Sequence, residues 1–355
     1  MHGQPARIGF REGSCTKLRM RLSDFDYTLP QELIAQEPLP ERHKSRLLVV
    51  NRTTQTIEHR RFEDITDYLA DDDLIVMNDT RVTAKRIYGR KSTGGAVEAL
   101  LMKRLAPGLW QGMVKPGRRV QIGATIEFEG GLRAEVIERT EEGGRILRFS
   151  AETDPDDLIA VTGEVPLPPY IHKKLSDPDR YQTIYAAADG SAAAPTAGLH
   201  FTKGLLAKIA DRGIRIVYVT LHVGVATFRP VRVANIEEHD MHSEELEISP
   251  ECAEAINSAK GRVVCVGTTS ARVLESAAVD RGKVAPTAGQ TKLFIRPPYD
   301  FRIVGALVTN FHIPKSTLLM LVSAFGGTEL IRRAYAEAVR QRYRFLSFGD
   351  AMLLY

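Results

Sequence analysis

Cysteine is nearly absent from this chain of 355 residues, which carries three: Cys15, Cys252 and Cys265. They form no CxxC pair and cannot complete an even disulfide framework, which argues against structural zinc, cysteine-ligated iron–sulfur clusters and a cross-linked secreted scaffold. Long apolar runs are missing too. The strongest, Leu318 to Phe325, is far shorter than the roughly 18 to 20 residues a bilayer span needs, and the N-terminus has no apolar signal core. A cytoplasmic location without membrane attachment is the expectation. Global charge is also low, at +4. Arg7, Arg11, Lys17 and Arg19 against Glu12 supply +3 of it before residue 20, so any nucleic-acid signal must be local rather than global.

With 43% hydrophobic and 26% charged residues, what remains is an ordinary globular chain long enough for two domains of about 150 residues. Residues 1–19 lack hydrophobic periodicity and read as a disordered leader, and Met20-Arg21-Leu22-Ser23 reads as a fresh start. Leu74 to Met77 is a buried strand ending in Asn78-Asp79-Thr80-Arg81. Between residues 85 and 150, short alternating runs are separated by Gly94-Gly95, Pro107-Gly108, Pro116-Gly117, Gly130-Gly131 and Gly143-Gly144. Turns at that spacing predict a compact inserted all-β unit, a small barrel or a sandwich.

Beyond the Pro-rich stretch Val165 to Tyr170, strands and helices alternate. Thr202 caps a helix from Lys203, Ile214 to Leu221 is a strand, Ser249-Pro250 opens a second helix, and Arg262 to Val266 is the next strand. The expected fold is therefore α/β: a largely parallel sheet with flanking helices, formed by residues 20–84 and 151–355 and interrupted by the barrel at 85–150. Pro-Thr-Ala-Gly occurs at Pro195 and again at Pro286, in surroundings too dissimilar to indicate a repeat.

Parallel sheets collect ligands at the carboxyl ends of their strands. Four predicted strand ends carry polar clusters: Asp79 and Arg81; His222, with Thr227 and Arg229 beyond it; Thr268, Thr269 and Ser270, with Arg272 one turn on; and Asn310, His312 and, further along, Ser316. Each cluster has a plain alternative. Hydroxyls cap helices, lone arginines pair with surface acids, and Asn or His before Pro314 forms turns. Four coincidences are less expected than one pocket.

His200, His222, His239, His242 and His312 sit in polar contexts, and Glu237 to Glu244 places His239 and His242 beside carboxylates. General acid–base work suits that segment. A metal set of His239, His242 and Glu244 is the competing chemistry, but the segment lacks the HExxH pattern; an exposed charged stretch is the third reading.

From Arg81 to Arg119 acid is almost lacking. Ten bases stand against Glu98 alone, a net +9. Lys85, Arg86, Arg90, Lys91, Lys115, Arg118 and Arg119 make this a candidate RNA face, with Tyr88 or Trp110 available for stacking; a solvated barrel surface is the alternative. A second basic group, Arg332, Arg333, Arg340, Arg342 and Arg344, also fits a decorated helix.

Longer motifs narrow these readings. The runs APTAGLHFT (Ala194 to Thr202), VTLHVGVATFRPV (Val219 to Val231), EEHDMHSE (Glu237 to Glu244), VGTTSARVLES (Val266 to Ser276), TNFHIPKSTLLMLVSAF (Thr309 to Phe325) and RFLSFGDAMLL (Arg344 to Leu354) stand in order. Together with MRLSDFDYTLPQELIAQEPLPERHKSRLLVV from Met20 and MNDTRV, they closely resemble the S-adenosylmethionine:tRNA ribosyltransferase-isomerase family of queuosine biosynthesis. The resemblance covers everything from Met20 onward. It implies an α/β domain interrupted by a small barrel. The implied activity is transfer and isomerisation of the ribosyl moiety of S-adenosylmethionine onto 7-aminomethyl-7-deazaguanine at the wobble position of tRNA, giving epoxyqueuosine, adenine and methionine. S-adenosylmethionine is then a co-substrate, no tightly bound cofactor or metal is expected, and the protein is expected to act as a monomer.

On that reading the catalytic candidates are His222, His242, Glu244, His312 and Asp79. Substrate-binding candidates are Arg81, His200, Thr227, Arg229, His239, Thr268, Thr269, Ser270, Arg272, Asn310 and Ser316. An ordinary methyltransferase would be expected to show a glycine-rich loop after its first strand, and none is evident; a non-catalytic tRNA binder leaves the polar strand ends unexplained.

Overall fold

The computed structural model describes residues 20–141, 143–224, 231, 233 and 235–355. Thr227 and Arg229 lie outside the described residues, as does the leader.

Nine strands form the main sheet, in the order 287–291, 244–248, 215–221, 74–78, 263–266, 306–310, 351–354, 46–50, 57–61. The middle of the sheet is parallel, from Arg215–Leu221 through Leu74–Asn78 and Val263–Val266 to Ala306–Asn310. Outside that block the order is mixed. Glu244–Ile248 runs antiparallel to both its neighbours, Ala351–Leu354 runs antiparallel to Ala306–Asn310, and Arg46–Val50 pairs antiparallel with Ile57–Arg61. The expectation of a largely parallel sheet is corrected accordingly: the central block and the pair Arg46–Val50 with Ala351–Leu354 are parallel, and the other flank pairings are antiparallel, so the sheet is mixed. Strand burial reflects the difference. Val263–Val266 is buried at every position, whereas Glu244–Ile248 alternates buried and exposed, the pattern of a half-solvated antiparallel strand.

Successive side chains of a strand face opposite ways. Leu48, Val50, Leu74, Val76, Cys265 and Leu307 therefore enter one core, packed by the helices Gly267–Ala277, Thr317–Gly326 and Thr328–Arg340. Leu47, Val49, Ile75, Met77, Val264 and Val308 enter the other, against Leu205 and Ile209 of the helix Lys203–Asp211 and against Phe62 and Ile65. The result is three layers with the sheet in the middle.

Strands between Lys85 and Ser150 close into a six-stranded antiparallel barrel. Ile87, Val97, Ala99, Trp110, Val136 and Leu147 fill it. The helix Pro155–Thr162 packs Ile159 into the same core, and Asp156 accepts hydrogen bonds from Trp110 Nε1 (2.7 Å) and the Gly108 N–H (3.0 Å). Lys103 on the barrel reaches Glu245 on the sheet's flank at 2.6 Å. Among the described residues no helix is long and apolar enough to cross a membrane.

Candidate active site

The carboxyl ends of the parallel strands lie on one edge of the sheet, and three of them open onto a single cavity with about 670 Å³ of empty space. Its walls are the segments 194–197, 267–269, 309–313 and 346–347, with Tyr170, Val223, Ser316 and Leu318.

Gly267 turns the chain from strand to helix at φ +92°, a conformation that penalises any side chain with a Cβ. The helix Gly267–Ala277 then begins with no side-chain cap, and Gly267, Thr268 and Thr269 line the cavity. Unsatisfied N–H groups and the positive end of the helix dipole thus sit at its wall, where an anion is favoured. Ser270 is turned away, its hydroxyl donating to the Val266 carbonyl at 2.8 Å.

Asn310 ends its strand fully inside the protein. Its Oδ1 accepts from the Thr196 hydroxyl (3.0 Å), and its Nδ2 donates to His200 Nε2 (3.2 Å). That leaves His200 Nδ1 carrying the proton and donating to Ser45 Oγ at 2.8 Å. Burial pushes the His200 pKa down to about 4, and its ring stacks on Phe62 with centroids 4.8 Å apart. His312 bonds Thr309 Oγ1 through Nε2 at 2.8 Å, and its backbone N–H donates to the Tyr335 hydroxyl at 3.0 Å. Desolvation pushes its pKa down to about 3, so the ring is neutral at ordinary pH. Ser316 caps the helix Thr317–Gly326 by accepting from the Leu319 N–H at 3.1 Å.

Thr268, Thr269, Asn310, His312 and Ser316 are therefore brought together, with His200 one hydrogen bond behind Asn310. Other sequence candidates lie elsewhere. His222 Nδ1 meets Thr80 Oγ1 at 2.7 Å and lines a separate cleft with Glu245 and Gln290; burial lowers its pKa. Asp79 accepts from the Thr220 hydroxyl at 2.7 Å. Arg81 is exposed and pairs with Asp189 at 3.4 Å. Glu244 and Arg272 form a buried ion pair with each other; Glu244 also accepts from the Gly224 N–H at 3.1 Å, and Arg272 Nε donates to the Leu293 carbonyl at 3.3 Å. His239 stands edge-on to Phe294 with its pKa lowered by burial and by His242, which is exposed. Among the described residues no three His, Cys, Asp or Glu side chains converge as a metal site requires.

Sequence reasoning passed over Thr196, Tyr170 and Ser347. Thr196 belongs to the Pro-Thr-Ala-Gly run taken for coincidence, and its hydroxyl orients Asn310. Tyr170 and Ser347, bonded to each other at 2.8 Å, come from a Pro-rich connection and the C-terminal segment, whose convergence no local pattern signals.

On the barrel, Arg86 pairs with Glu98 (3.1 Å), and Arg104 with Asp156. Among the described residues no carboxylate lies within ion-pair distance of Lys85, Arg90, Lys91, Lys115, Arg118 or Arg119. Lys91 Nζ donates to the Arg119 carbonyl at 3.3 Å, so the strand end at Lys91 and the turn at Gly117–Arg119 share one basic end of the barrel. Arg90, Lys115 and exposed Tyr88 border a groove there, together with Glu98, Glu127 and Glu129.

An α/β sheet with a cavity at its carboxyl edge, carrying a six-stranded barrel, is the architecture of an enzyme whose site is built from strand ends. The chain belongs to the queuosine biosynthesis protein family, whose model matches residues 22–354. It is 55% identical to the S-adenosylmethionine:tRNA ribosyltransferase-isomerase of Symbiobacterium thermophilum and 53% identical to that of Acetivibrio thermocellus. Each alignment covers 94% of this chain and 100% of the relative. The crystal structure of S-adenosylmethionine tRNA ribosyltransferase from Thermotoga maritima is similar at a TM-score of 0.53 and 40% identity, again over 94% of this chain and 100% of that one.

Proposed function

We propose that this chain transfers and isomerises the ribosyl moiety of S-adenosylmethionine onto 7-aminomethyl-7-deazaguanine at the wobble position of tRNA, yielding epoxyqueuosine and releasing adenine and methionine. The observation that carries this reading is the meeting of three parallel strand ends around one cavity in a chain matched to the family from end to end. The α/β unit of residues 20–84 and 151–355 holds S-adenosylmethionine as a co-substrate, and the barrel of 85–150 draws in tRNA. No tightly bound cofactor or metal enters the scheme, and the protein acts as a cytoplasmic monomer.

The sulfonium acidifies the C5′–H of the ribose, and a base must take that proton. Among the described residues His312 is the one imidazole lining the cavity, and burial keeps its ring neutral, with a lone pair, at ordinary pH. The uncapped helix end at Gly267 to Thr269 receives the methionine carboxylate, a role that costs nothing in buried counter-charge because the donors are backbone N–H groups. Asn310, fixed by Thr196 and His200, holds one orientation for hydrogen bonding to ribose or base. Arg272 is already neutralised by Glu244 and acts by holding the segment at Gly224. Lys85, Arg90, Lys91, Lys115, Arg118 and Arg119 attract the phosphate backbone.

One incubation tests the reaction. Protein, S-adenosylmethionine and tRNA carrying the aminomethyl base should give free adenine and, on nucleoside mass analysis, epoxyqueuosine. S-adenosylhomocysteine as product, or no consumption of S-adenosylmethionine, would overturn it.

A further inference from the structure

Behind Asn310 lies a second, smaller cleft with about 300 Å³ of empty space. Arg42, Ser45, Arg180, His200 and Ser347 line it, and Ser347 also lines the larger cavity, so the two are neighbours across one side chain. Both guanidinium groups are partly buried. They are close enough that the charge of Arg180 joins burial in lowering the Arg42 pKa. Arg344 adds a third positive charge nearby, close enough to act on His200.

Like charges gathered in a partly buried cleft repel, and something must offset that repulsion. Protein carboxylates do so only in part. Among the described residues none lies within ion-pair distance of Arg42, Arg180 or Arg344; Asp177 and Asp179 act on Arg42, and Asp350 and Glu37 on Arg344, from further away. Asp350 and Glu37 are themselves engaged, by Arg46 at 3.3 Å and by Lys173. The arginines are instead held in place by carbonyls. Arg42 donates to Gln182 (2.9 Å) and Asp179 (3.1 Å), Arg180 to Leu39, and Arg344 to Glu37. Arg180 Nε and Arg344 Nη1 remain buried without any acceptor. A buried charged donor left unsatisfied is costly, and an anion in the cleft would offset the charge that Arg42 and Arg180 bring to its wall. His200 does not compete for this role, being neutral and tied at both ring nitrogens.

We propose that this cleft is a phosphodiester site, in which Arg42 and Arg180 grip one backbone phosphate of the tRNA next to the nucleotide being modified. The inference rests on the reading of the larger cavity as the S-adenosylmethionine site. Planar guanidinium forks match phosphate oxygens two at a time, which a helix N-terminus or a lysine does not. The larger cavity already has its own donors for the methionine carboxylate at Gly267 to Thr269, so the arginines face a different anion. Their separation from the barrel's basic end also gives a division of labour: exposed cations on the barrel attract tRNA, and this cleft sets the register of the strand beside the reacting centre.

The test compares wild type with Arg180→Gln and Arg180→Lys, reading equilibrium tRNA binding across a salt series and S-adenosylmethionine binding by calorimetry. Arg180→Gln should weaken tRNA binding roughly tenfold at low salt and flatten the slope of log K against log salt by about 0.7 to 0.9, the share of one phosphate. Arg180→Lys should retain most of that slope, and S-adenosylmethionine affinity should stay within about twofold in both. Unchanged tRNA affinity and slope in a folded Arg180→Gln protein would overturn the proposal. A loss confined to S-adenosylmethionine would overturn it too, by assigning the arginines to the methionine carboxylate. Should Arg180→Gln fail to fold, wild-type crystals soaked in inorganic phosphate give the answer: an ion between Arg42 and Arg180 supports the site, and an empty cleft at saturating phosphate contradicts it. Binding is read without turnover, so a wild type that binds tRNA through Arg180 yet forms no epoxyqueuosine would overturn the reaction and leave this site standing.

Discussion

The barrel and the sheet treat charge in opposite ways. On the barrel, Arg90, Lys115, Arg118 and Arg119 stand exposed and, among the described residues, none has a carboxylate within ion-pair distance, although Glu127 faces Arg90 and Glu98 faces Lys115 across neighbouring strands. In the sheet unit, by contrast, several carboxylates are buried and bonded: Glu244 meets Arg272, Asp73 grips Arg262 at 2.6 Å, and Glu275 accepts the N–H groups of Arg302, Ile303 and Val304 at 3.0 to 3.1 Å. Exposed unpaired charge acts at long range and fades with salt; buried paired charge fixes geometry and is hardly screened. On the function proposed above, the difference matches attraction of a polyanion by one unit and placement of a small molecule by the other.

That division can be broken most visibly at His312. His312→Ala should lower kcat by about 10²- to 10⁴-fold, the usual worth of general base catalysis, with tRNA affinity unchanged; a loss below tenfold would remove His312 from the role of base. Glu244→Ala leaves Arg272 buried and unpaired, and should lower the free energy of unfolding by about 3–5 kcal/mol in denaturant titrations. A loss below 1 kcal/mol would show that water reaches the pair.

Acid offers a graded test on the sheet side. His200 and His312 have folded pKa values of about 4 and about 3, below their ordinary 6.5. Above pH 6.5 both are neutral whether folded or not. As pH falls from 6.5 toward 4 the unfolded chain takes up protons that the folded chain refuses, so stability should decline through that window. Melting temperatures rising as pH falls from 6.5 to 4.5 would contradict the burial of both rings.

The smallest effects belong to the barrel. The triple variant Arg90→Ala, Arg118→Ala, Arg119→Ala should reduce the salt slope of tRNA binding by about 2 to 3 and leave the KM for S-adenosylmethionine unchanged. An unaltered slope would return this surface to the status of solvated decoration.

Much of this was legible in residues 85–150, where glycine-containing turns at short intervals announce a compact all-β unit, and in the strand-end clusters at Thr268 and Asn310. Strand direction was not. Val263 to Val266 and Ala351 to Leu354 are equally apolar, yet one pairs parallel with Ala306–Asn310 and the other antiparallel, because direction is set by the path of the connection and not by composition. The site was legible in kind but not in membership. His222 and His312 look alike in sequence, each following a strand and flanked by apolar residues, Leu221 and Val223 in one case and Phe311 and Ile313 in the other, but of the two only His312 lines the cavity. Arg42 and Arg180 carry no local signal, since their meaning comes from residues more than a hundred positions apart sharing one cleft.

The most direct test of the account is a crystal structure with S-adenosylmethionine bound. The nucleoside should occupy the cavity between the helix end at Gly267 and the loop at His312, with its carboxylate on the N–H groups of Gly267 to Thr269. Density for the ligand in the His222 cleft, or on the barrel, would contradict it.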